Sequence, residues 1–574
     1  MFPTTSKARV VMAAVLAVLP GTLRAQHLAP VDVAERCHGE RIVEITLHGS
    51  QRDVMDRVGG LGDTVNRGIK WIQPRTADHV IRGFLLLKIG DSCDEARRYA
   101  SERVLRSQPF ISDVAIRVQR VGDGEVRLVV ETIDEYVVRV EGWGLEGVPV
   151  GAEVGSANLF GGARELSATL EYGRGGAIGR GGKFADRQLF GLPIILSTYW
   201  ASRPLSRYSG IALSRPILTE YDPFAWLVEA DMSRFYYTFH ETSIRDVSIE
   251  YDERNWVVGG LRRDANRVNG PFFGAAVAGT YTDPIRTIAI RQNGPEPVSA
   301  PELMARYHPF TALRVGASTG YRALHFLPVA GLGDLTAVQD VPLGWQLTGI
   351  ALQGLGVFPG MPPDMIGVLN GTTGVGNASF LLRSGFELEV RRPGTVGEPV
   401  STLGSAHVVA TAKTSLRHTT MLDVEWAGGA NARLPMQLTF RDDEGLLGYR
   451  SSDVGGGHRT IWRFEDRWLI PSPTEKAELA VAPIVQAGKI DAGDALYGVT
   501  TPWRYGAGVA FMAAIPKGSK HMVRLEFGWP VNPPGVRQME FRISYGDRTS
   551  AYDGIPGAIL GAREAEAAAR ALTP

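Results

Sequence analysis

The chain has 574 residues, which is more than one small domain needs, and its 61 basic and 61 acidic side chains cancel. This balance gives no electrostatic basis for binding nucleic acid or an acidic substrate. The 68 glycines and 34 prolines accompany a hydrophobic fraction of 44%. Such a composition argues against a disordered chain and favours a β protein with many turns.

The first residues have the pattern of a secretory signal. Lys7 and Arg9 precede an apolar run from Val10 to Leu19, and the small residue Ala25 provides a cleavage point. A membrane anchor is the alternative, but this run is too short to cross a bilayer as a helix, and no later segment reaches about 18 apolar residues. We therefore predict a signal peptide over residues 1–25 and a mature chain that is either soluble outside the cytoplasm or a β-barrel.

The only two cysteines, Cys37 and Cys93, lie close to the N-terminus. In an oxidising compartment they could form a disulfide that stabilises this region by about 2–4 kcal/mol. Two unpaired thiols are the alternative, because the sequence does not show whether their Cβ atoms approach each other. The chain has no zinc-site spacing, so we expect neither a metal nor a cofactor.

Residues 36–137 predict one small α+β domain with the order strand, helix, helix, strand, strand. The stretch RIVEITLHG alternates as a strand does, and Asp123 and Gly124 form the turn of a later hairpin. Apolar residues that share one helical face are Val80, Ile81, Phe84 and Leu85 in the first helix and Ala96, Tyr99, Ala100 and Val104 in the second. An insertion at about 51–75 separates the first strand from the first helix, and it is longer than a usual connection.

Residues 138–546 consist of short alternating runs between clusters of turn residues. In one of them Leu166, Ala168 and Leu170 alternate with Ser167 and Thr169. Runs of about 10 residues with this period are typical of membrane strands that face lipid on one side and a polar lumen on the other. A soluble sandwich also alternates, but the export signal favours the barrel.

One of these runs alternates aromatic and charged residues, except at Asp466. The aromatic residues are Trp462, Phe464 and Trp468, and the charged residues are Arg463, Glu465 and Arg467. A membrane strand would direct the aromatic set toward lipid and the charged set toward the lumen. Asp466 would then lie on the lipid side, so we expect it near a membrane edge, where a charge costs little.

Several phrases resemble the BamA/TamA-type outer-membrane assembly factors. VIRGFLLLKIGD and LRSQPFISDVAIRV are similar to a POTRA domain, SANLFGGARELSATLEYG to the opening of the family barrel, and VRLEFGWPVNPPGVRQMEFRISYG to its last hairpin. In that hairpin Phe541, Ile543 and Tyr545 match the terminal-strand signal. The resemblance implies an all-β transmembrane barrel of about 16 antiparallel strands, preceded by a small α+β POTRA domain in the periplasm.

The sixth extracellular loop of the family folds into the lumen and carries an Arg-Gly-aromatic tip. After Gly445, Gly448 and Tyr449 match the glycine and the aromatic residue, but Leu447 stands where the arginine is expected. The resemblance therefore leaves two possibilities, namely that Arg450 replaces the arginine through an ion pair with Glu465 or that the lock is absent.

The tail at residues 547–574 is a second departure, because family barrels usually stop at the terminal aromatic residue. We expect it to be either a short helix near the periplasmic rim or disordered.

The single G-x-S-x-G motif, Gly316 to Gly320, has the spacing of a hydrolase nucleophile elbow. That elbow needs a following helix, but the next residues, YRALHFLP, favour a strand. We therefore predict a barrel strand here and no enzymatic activity.

The resemblance implies insertion or translocation of polypeptides at the outer membrane. The POTRA domain would bind unfolded periplasmic polypeptides or assembly-complex proteins by β-augmentation, the barrel would contact outer-membrane lipids, and nucleic acid would not bind. A passive channel or surface barrel, with the POTRA domain as a plug or anchor, is the alternative. The sequence does not indicate the oligomeric state.

Overall fold

The computed structural model describes residues 36–51, 75–135, 138–145, 148–172, 178–203, 205–240, 247–264, 269–291, 294–357, 363–441, 445–450, 452, 454–472, 477–531, 539–546 and 554–574. The predicted signal peptide at residues 1–25 and nearly all of the predicted insertion at about 51–75 lie outside these residues. Within the described part of the chain, every helix is too short or too polar to span a membrane.

A small α+β domain, here called the N-terminal domain, precedes the barrel. Its elements are β1 (Arg41–Gln51), α1 (Asp78–Phe84), α2 (Glu95–Arg106), β2 (Ile111–Gly122) and β3 (Glu125–Asp134). β3 lies at the centre of the sheet, parallel to β1 and antiparallel to β2. Gly124 has a φ of +71° in the β2–β3 turn, a left-handed conformation that glycine adopts without a Cβ clash.

The two helices of this domain pack against its sheet through one apolar core. Val80, Ile81 and Phe84 of α1 are buried there, whereas Ala96 in the first turn of α2 is exposed. Asp94 caps α2 by accepting a hydrogen bond from the Arg97 backbone N–H at 2.9 Å. These contacts give the domain a core of its own beside the barrel.

The two cysteines of the chain form a disulfide in the structure. The Cα atoms of Cys37 and Cys93 are 5.1 Å apart, and both side chains are buried. The bond joins the residues before β1 to the residues before α2, so it closes the core of the N-terminal domain at one edge.

A closed barrel follows, in which the first and the last strand lie side by side. Its strands are β4 (Val138–Leu145), β5 (Val148–Ser156), β6 (Arg164–Tyr172), β7 (Ile178–Asp186), β8 (Ile195–Arg203), β9 (Ser206–Arg215), β10 (Phe224–Phe239), β11 (Val247–Arg263), β12 (Gly270–Arg291), β13 (Gly294–Pro297), β14 (Phe310–Ala330), β15 (Val338–Gly354), β16 (Met365–Gly376), β17 (Phe380–Arg392), β18 (Ser401–Ser415), β19 (His418–Ala430), β22 (His458–Ile470), β23 (Glu478–Asp491), β24 (Arg504–Ala514), β25 (Met522–Pro530) and β26 (Glu540–Gly546). Successive strands pair antiparallel, as in β10 with β11 and β25 with β26.

The family resemblance implied a barrel of about 16 strands, and the described barrel has more. About twenty strands form the circuit when the four-residue β13, which pairs with β12, is left aside. The difference arises because β6, β7 and β8 have only nine residues each. Short strands on tight connections allow a given length of chain to form more strands than the resemblance implied.

The barrel strands alternate between an exposed outward face and a buried inward face. In β16, Met365 and Leu369 are exposed on the outside, whereas Ile366 and Val368 are buried inside. Large aromatic side chains that are exposed on the outward face are Trp256, Tyr321, Trp345, Trp426, Trp462, Trp468 and Trp529. An apolar outer surface with aromatic residues is suited to a bilayer.

Two stretches of chain occupy the barrel interior. The first, here called the lumenal loop, consists of the described residues between β19 and β22, which are 431–441, 445–450, 452 and 454–457 and include β20 (Leu438–Thr439) and β21 (Gly455–Gly456). The second, here called the lumenal segment, is residues 554–574 with the helices α4 (Gly557–Ala562) and α5 (Glu566–Leu572). A further short helix, α3 (Pro301–Arg306), lies between β13 and β14.

Candidate functional site

The tip of the lumenal loop lies inside the barrel and is bound to the wall strands β23, β24 and β26. The hydrogen bonds that fix it include those from the Leu447 N–H to Gln486 Oε1 at 2.7 Å, from the Gly448 N–H to Glu540 Oε2 at 2.7 Å, and from the Tyr449 hydroxyl to the Tyr505 carbonyl oxygen at 3.1 Å. Gly445 at the start of the tip is also buried. The structure thus brings the predicted loop residues into the lumen.

Gly448 is needed at this tip for two reasons. Its φ of +88° is left-handed, and a Cβ at this position would lie 2.6 Å from the Pro530 nitrogen. The glycine of the predicted motif therefore permits a close approach between the lumenal loop and β25.

Leu447, which replaces the expected arginine, lies in a hollow that three wall glycines create. A Cβ added to Gly508 would lie 2.6 Å from Leu447 Cδ2, and one added to Gly528 would lie 2.3 Å from Leu447 Cγ. A Cβ added to Gly506 would lie 2.3 Å from the Leu447 carbonyl oxygen. Ala510 and other apolar wall residues complete the hollow. The wall is therefore shaped for an apolar side chain at this position, so Leu447 can hold the loop without the arginine that the sequence resemblance led us to expect.

The predicted wall residue Glu465 is held by two arginines of the wall. Arg524 donates to Glu465 Oε2 at 2.7 Å and to Glu465 Oε1 at 3.1 Å, and Arg467 donates to Glu465 Oε1 at 3.0 Å. All three side chains are buried. Arg450, which the sequence offered as the partner of Glu465, donates its backbone N–H to Glu540 at 3.3 Å. Glu465 therefore belongs to a buried charge cluster of the wall.

Arg463 belongs to a second charge cluster farther along the same strand. It donates to Asp423 Oδ2 at 2.6 Å and to Glu425 Oε2 at 3.2 Å. Arg459, which is not among the predicted wall partners, donates to Glu425 Oε1 at 2.7 Å and to the Thr439 carbonyl oxygen in the lumenal loop at 2.7 Å. The alternation of β22 could have predicted the inward position of Arg459, because Arg459 is odd-numbered like the other inward-facing residues of this strand.

The aromatic set of β22 lies on the outer face, as the sequence predicted. Trp462 and Trp468 are 47% and 54% exposed, and Phe464 is half-buried. Asp466 on that face accepts hydrogen bonds from Thr420 Oγ1 at 2.6 Å and from Trp468 Nε1 at 2.8 Å. These hydrogen bonds satisfy the Asp466 carboxylate, which lies near the end of β22 on a face that is otherwise apolar.

The side chains of the terminal strand β26 alternate between the outer surface of the barrel and the lumen. Ile543 is 42% exposed, and the ring centroid of Phe541 lies 5.2 Å from that of Phe527 on the outer side of β25. Tyr545 contacts the His521 ring at a centroid distance of 5.6 Å. Arg542 is buried on the inner face and donates to Glu540, which also binds the lumenal loop. The terminal strand therefore contributes both to the outer surface and to the loop site.

The tail contains helices, but its described part does not lie at a rim. Residues 554–574 lie in the lumen, where Arg563 pairs with Glu387 at 2.8 Å and with Glu389 at 3.3 Å. The next residue, Glu564, pairs with Arg314 at 2.6 Å and with Arg391 at 3.4 Å. The expectation of a rim helix or a disordered tail is therefore wrong for these residues, because a polar lumenal wall satisfies their charges.

The same segment buries its small side chains against an apolar part of the wall. Ala565, Ala568 and Leu572 belong to one core with wall residues of β11, β12, β15 and β16, which are Val257, Ala276, Ile350, Leu352, Ile366 and Val368. Ile559 and Ala562 pack against Leu434 and Met436 of the lumenal loop. The lumenal segment and the lumenal loop thus fill the interior together.

The N-terminal domain contacts the barrel at the end opposite the base of the lumenal loop. Arg106 donates to Asp340 at 2.7 Å, and Tyr99 donates to the same carboxylate at 3.2 Å. Lys520, in the β24–β25 turn, donates to the Ile111 carbonyl oxygen at 2.7 Å. Burial lowers the pKa of the Lys520 ammonium to about 8. Polar contacts with β15 and with the β24–β25 turn therefore place this domain across one end of the barrel.

The remaining sequence candidates fall within ordinary barrel structure. Gly316 to Gly320 lies inside β14, and the hydroxyl of Ser318 donates to the Leu572 carbonyl oxygen at 3.1 Å. Among the described residues, no group of three or more His, Cys, Asp or Glu side chains could hold a metal ion.

Comparison with known proteins gives distant structural similarities. No family model and no curated protein matches the chain. BamA from Haemophilus ducreyi lacking POTRA domains 1–3 is similar at 11% identity over 88% of this chain and 84% of that chain, with a TM-score of 0.34. CdiB from Acinetobacter baumannii is similar at 10% identity over 94% and 96%, with a TM-score of 0.38, and CdiB from Escherichia coli at 11% over 95% and 99%, with a TM-score of 0.41. Identities and TM-scores this low do not by themselves assign a family or a function.

Proposed function

We propose that this chain is an outer-membrane barrel of the BamA/TamA type that assists the insertion or translocation of polypeptides. The N-terminal domain would lie in the periplasm as a POTRA domain. The observation that carries the proposal is the lumenal loop tip, which folds inward and is fixed to β23, β24 and β26, the strands that lead up to the closure of the barrel. A loop that is bound to the terminal strand can sense or control that closure.

The closure itself joins two short strands. β26 has seven residues and β4 has eight, whereas β10 and β11 have 16 and 17. The number of ladder hydrogen bonds rises with strand length, so a short pair costs less to separate than a long one. Lateral opening between β4 and β26 would release a polypeptide into the bilayer.

The N-terminal domain supplies a means of capturing such a polypeptide. β3 is flanked by β1 and β2 in its three-stranded sheet, so β1 and β2 are the edge strands. An edge strand can pair with an extended polypeptide through backbone hydrogen bonds that do not depend on its sequence. Docking of this domain across one end of the barrel would deliver the captured chain to the lumen.

A passive channel is the alternative, and the filled lumen argues against it. The lumenal loop and the lumenal segment pack on each other and on the wall, and this packing leaves less space for diffusing solutes.

Depletion of the protein, followed by quantitative proteomics of the outer membrane, tests the proposal. We expect the abundance of specific outer-membrane or secreted proteins to fall and to recover when the wild-type gene is restored. An unchanged outer-membrane proteome, together with reduced uptake of small solutes, would instead identify a passive channel.

A further inference from the structure

The lumenal wall around residues 554–574 contains a cluster of charged side chains, most of which pair with that segment. Four of them are buried and Glu387 is half-buried; the buried ones are Arg314, Asp364, Glu389 and Arg391. Asp364 bridges the two arginines, accepting from Arg314 at 2.7 Å and from Arg391 at 2.9 Å. The wall thus holds a carboxylate pair and an arginine pair side by side.

The segment inserts a complementary dipeptide between these pairs. The guanidinium of Arg563 meets Glu387 and Glu389, and the adjacent carboxylate of Glu564 meets Arg314 and Arg391. Glu389 also accepts the backbone N–H groups of Glu564 at 3.0 Å and of Ala565 at 3.3 Å. Backbone and side chains are therefore recognised together, and the order arginine then glutamate is specified.

The wall also leaves room for the small residues that follow the dipeptide. A Cβ added to Gly259 would lie 3.0 Å from the Ala571 Cβ, and one added to Gly274 would lie 2.9 Å from Leu572 Cδ2. α4 and α5 have six and seven residues, and helices of this length are not stable alone in water. Their conformation therefore depends on the wall that binds them.

We propose that this wall is a peptide-binding site that takes a segment with an adjacent Arg-Glu pair followed by a helix of small residues. Residues 554–574 occupy the site in cis. The proposal goes beyond the proposed function, and it would stand even if the barrel inserted no polypeptide.

A thiol reporter within the intact chain tests whether the charged pair holds the segment in place. Ala569 is 5% exposed, and both natural cysteines are joined in a disulfide, so Ala569→Cys introduces a single free thiol. The test variant adds Arg563→Glu with Glu564→Arg, which keeps the composition and leaves the wall unchanged. We expect maleimide labelling of the folded barrel to become about 10-fold faster or more, because buried charges lose their partners.

The matched control exchanges an exposed ion pair that lies away from the segment. Lys489 and Asp491 pair at 2.6 Å with side chains 33% and 46% exposed. Lys489→Asp with Asp491→Lys should leave the labelling rate unchanged. Equal labelling rates in the Arg563–Glu564 exchange variant and the parent chain would overturn the proposal.

Binding in trans provides the second measurement. A variant that lacks residues 554–574 should bind a fluorescent synthetic peptide of these residues saturably, and the peptide with its Arg563 and Glu564 exchanged should bind about 10-fold more weakly or worse. Equal binding of the two peptides would contradict a specific site. If the shortened variant does not fold, as shown by the loss of heat-modifiable gel mobility, the labelling result on the full chain decides the question.

Discussion

At the residue scale, Leu447 shows how the lumenal loop is held without the arginine expected from the family resemblance. Its side chain fills a hollow that exists because three wall positions carry glycine. Recognition at this point is therefore steric and apolar, and it depends on the absence of side chains as much as on the leucine itself.

This packing predicts that Gly528→Ala destabilises the folded barrel by about 1–3 kcal/mol, because its Cβ would lie 2.3 Å from Leu447 Cγ. Adding Leu447→Ala should recover part of that loss by removing the clash. The temperature at which the folded gel band disappears measures both effects. Gly367→Ala is the matched control, since no atom lies within 4 Å of a Cβ at that position. If Gly528→Ala were as stable as Gly367→Ala, the claim that Leu447 fills a hollow at Gly528 would be wrong.

A second prediction at this scale concerns Glu465, which neutralises Arg524 and Arg467 in the wall. Glu465→Gln leaves two buried guanidinium groups with too little negative charge, and we expect a loss of about 3–5 kcal/mol. Glu131→Gln removes a carboxylate from an exposed pair with Arg117, and it should cost about 0–1 kcal/mol. Thermal unfolding of both variants in the same detergent provides the comparison. Similar losses would show that the wall cluster is solvated.

At the scale of elements, the sequence predicted well wherever one face of an element differs chemically from the other. The inward position of Glu465 and the outward position of Trp468 in β22 follow from alternation alone. The lumenal segment could not be placed in this way. Its wall partners on β15 and β16 include Ile350 and Ile366, whose strands are apolar on both faces, so inward and outward residues look alike in the sequence. The apolar inward face of these barrel strands could have indicated that another part of the protein packs against them in the lumen.

The strand β26 carries the prediction at this scale. Phe541→Asp with Tyr545→Asp places charge on the outward face, where it should cost about 1–2 kcal/mol per residue and reduce insertion. Ser544→Asp is the control, because Ser544 has the same parity as the inward residue Arg542. The fraction of heat-modifiable barrel after refolding into lipid vesicles measures insertion. If Ser544→Asp reduced insertion as much as the double variant, the assigned faces of β26 would be wrong.

At the scale of the whole molecule, the barrel is occupied from within and covered at one end. The lumenal loop and the lumenal segment fill the interior, and the N-terminal domain contacts the barrel through Arg106, Tyr99 and Lys520. The resting molecule is therefore closed, and its proposed activity requires at least one of these parts to move.

The proposed function requires that the described strands between residues 138 and 546 form a closed barrel that spans the outer membrane. The most direct test is to separate the cell envelope into its fractions and to compare the gel mobility of the protein before and after heating. A closed barrel has no free sheet edge and resists unfolding by detergent. We therefore predict that the protein is recovered with the outer membrane and that its unheated form migrates differently from its heated form. Recovery as a soluble periplasmic protein with a single mobility would contradict the account.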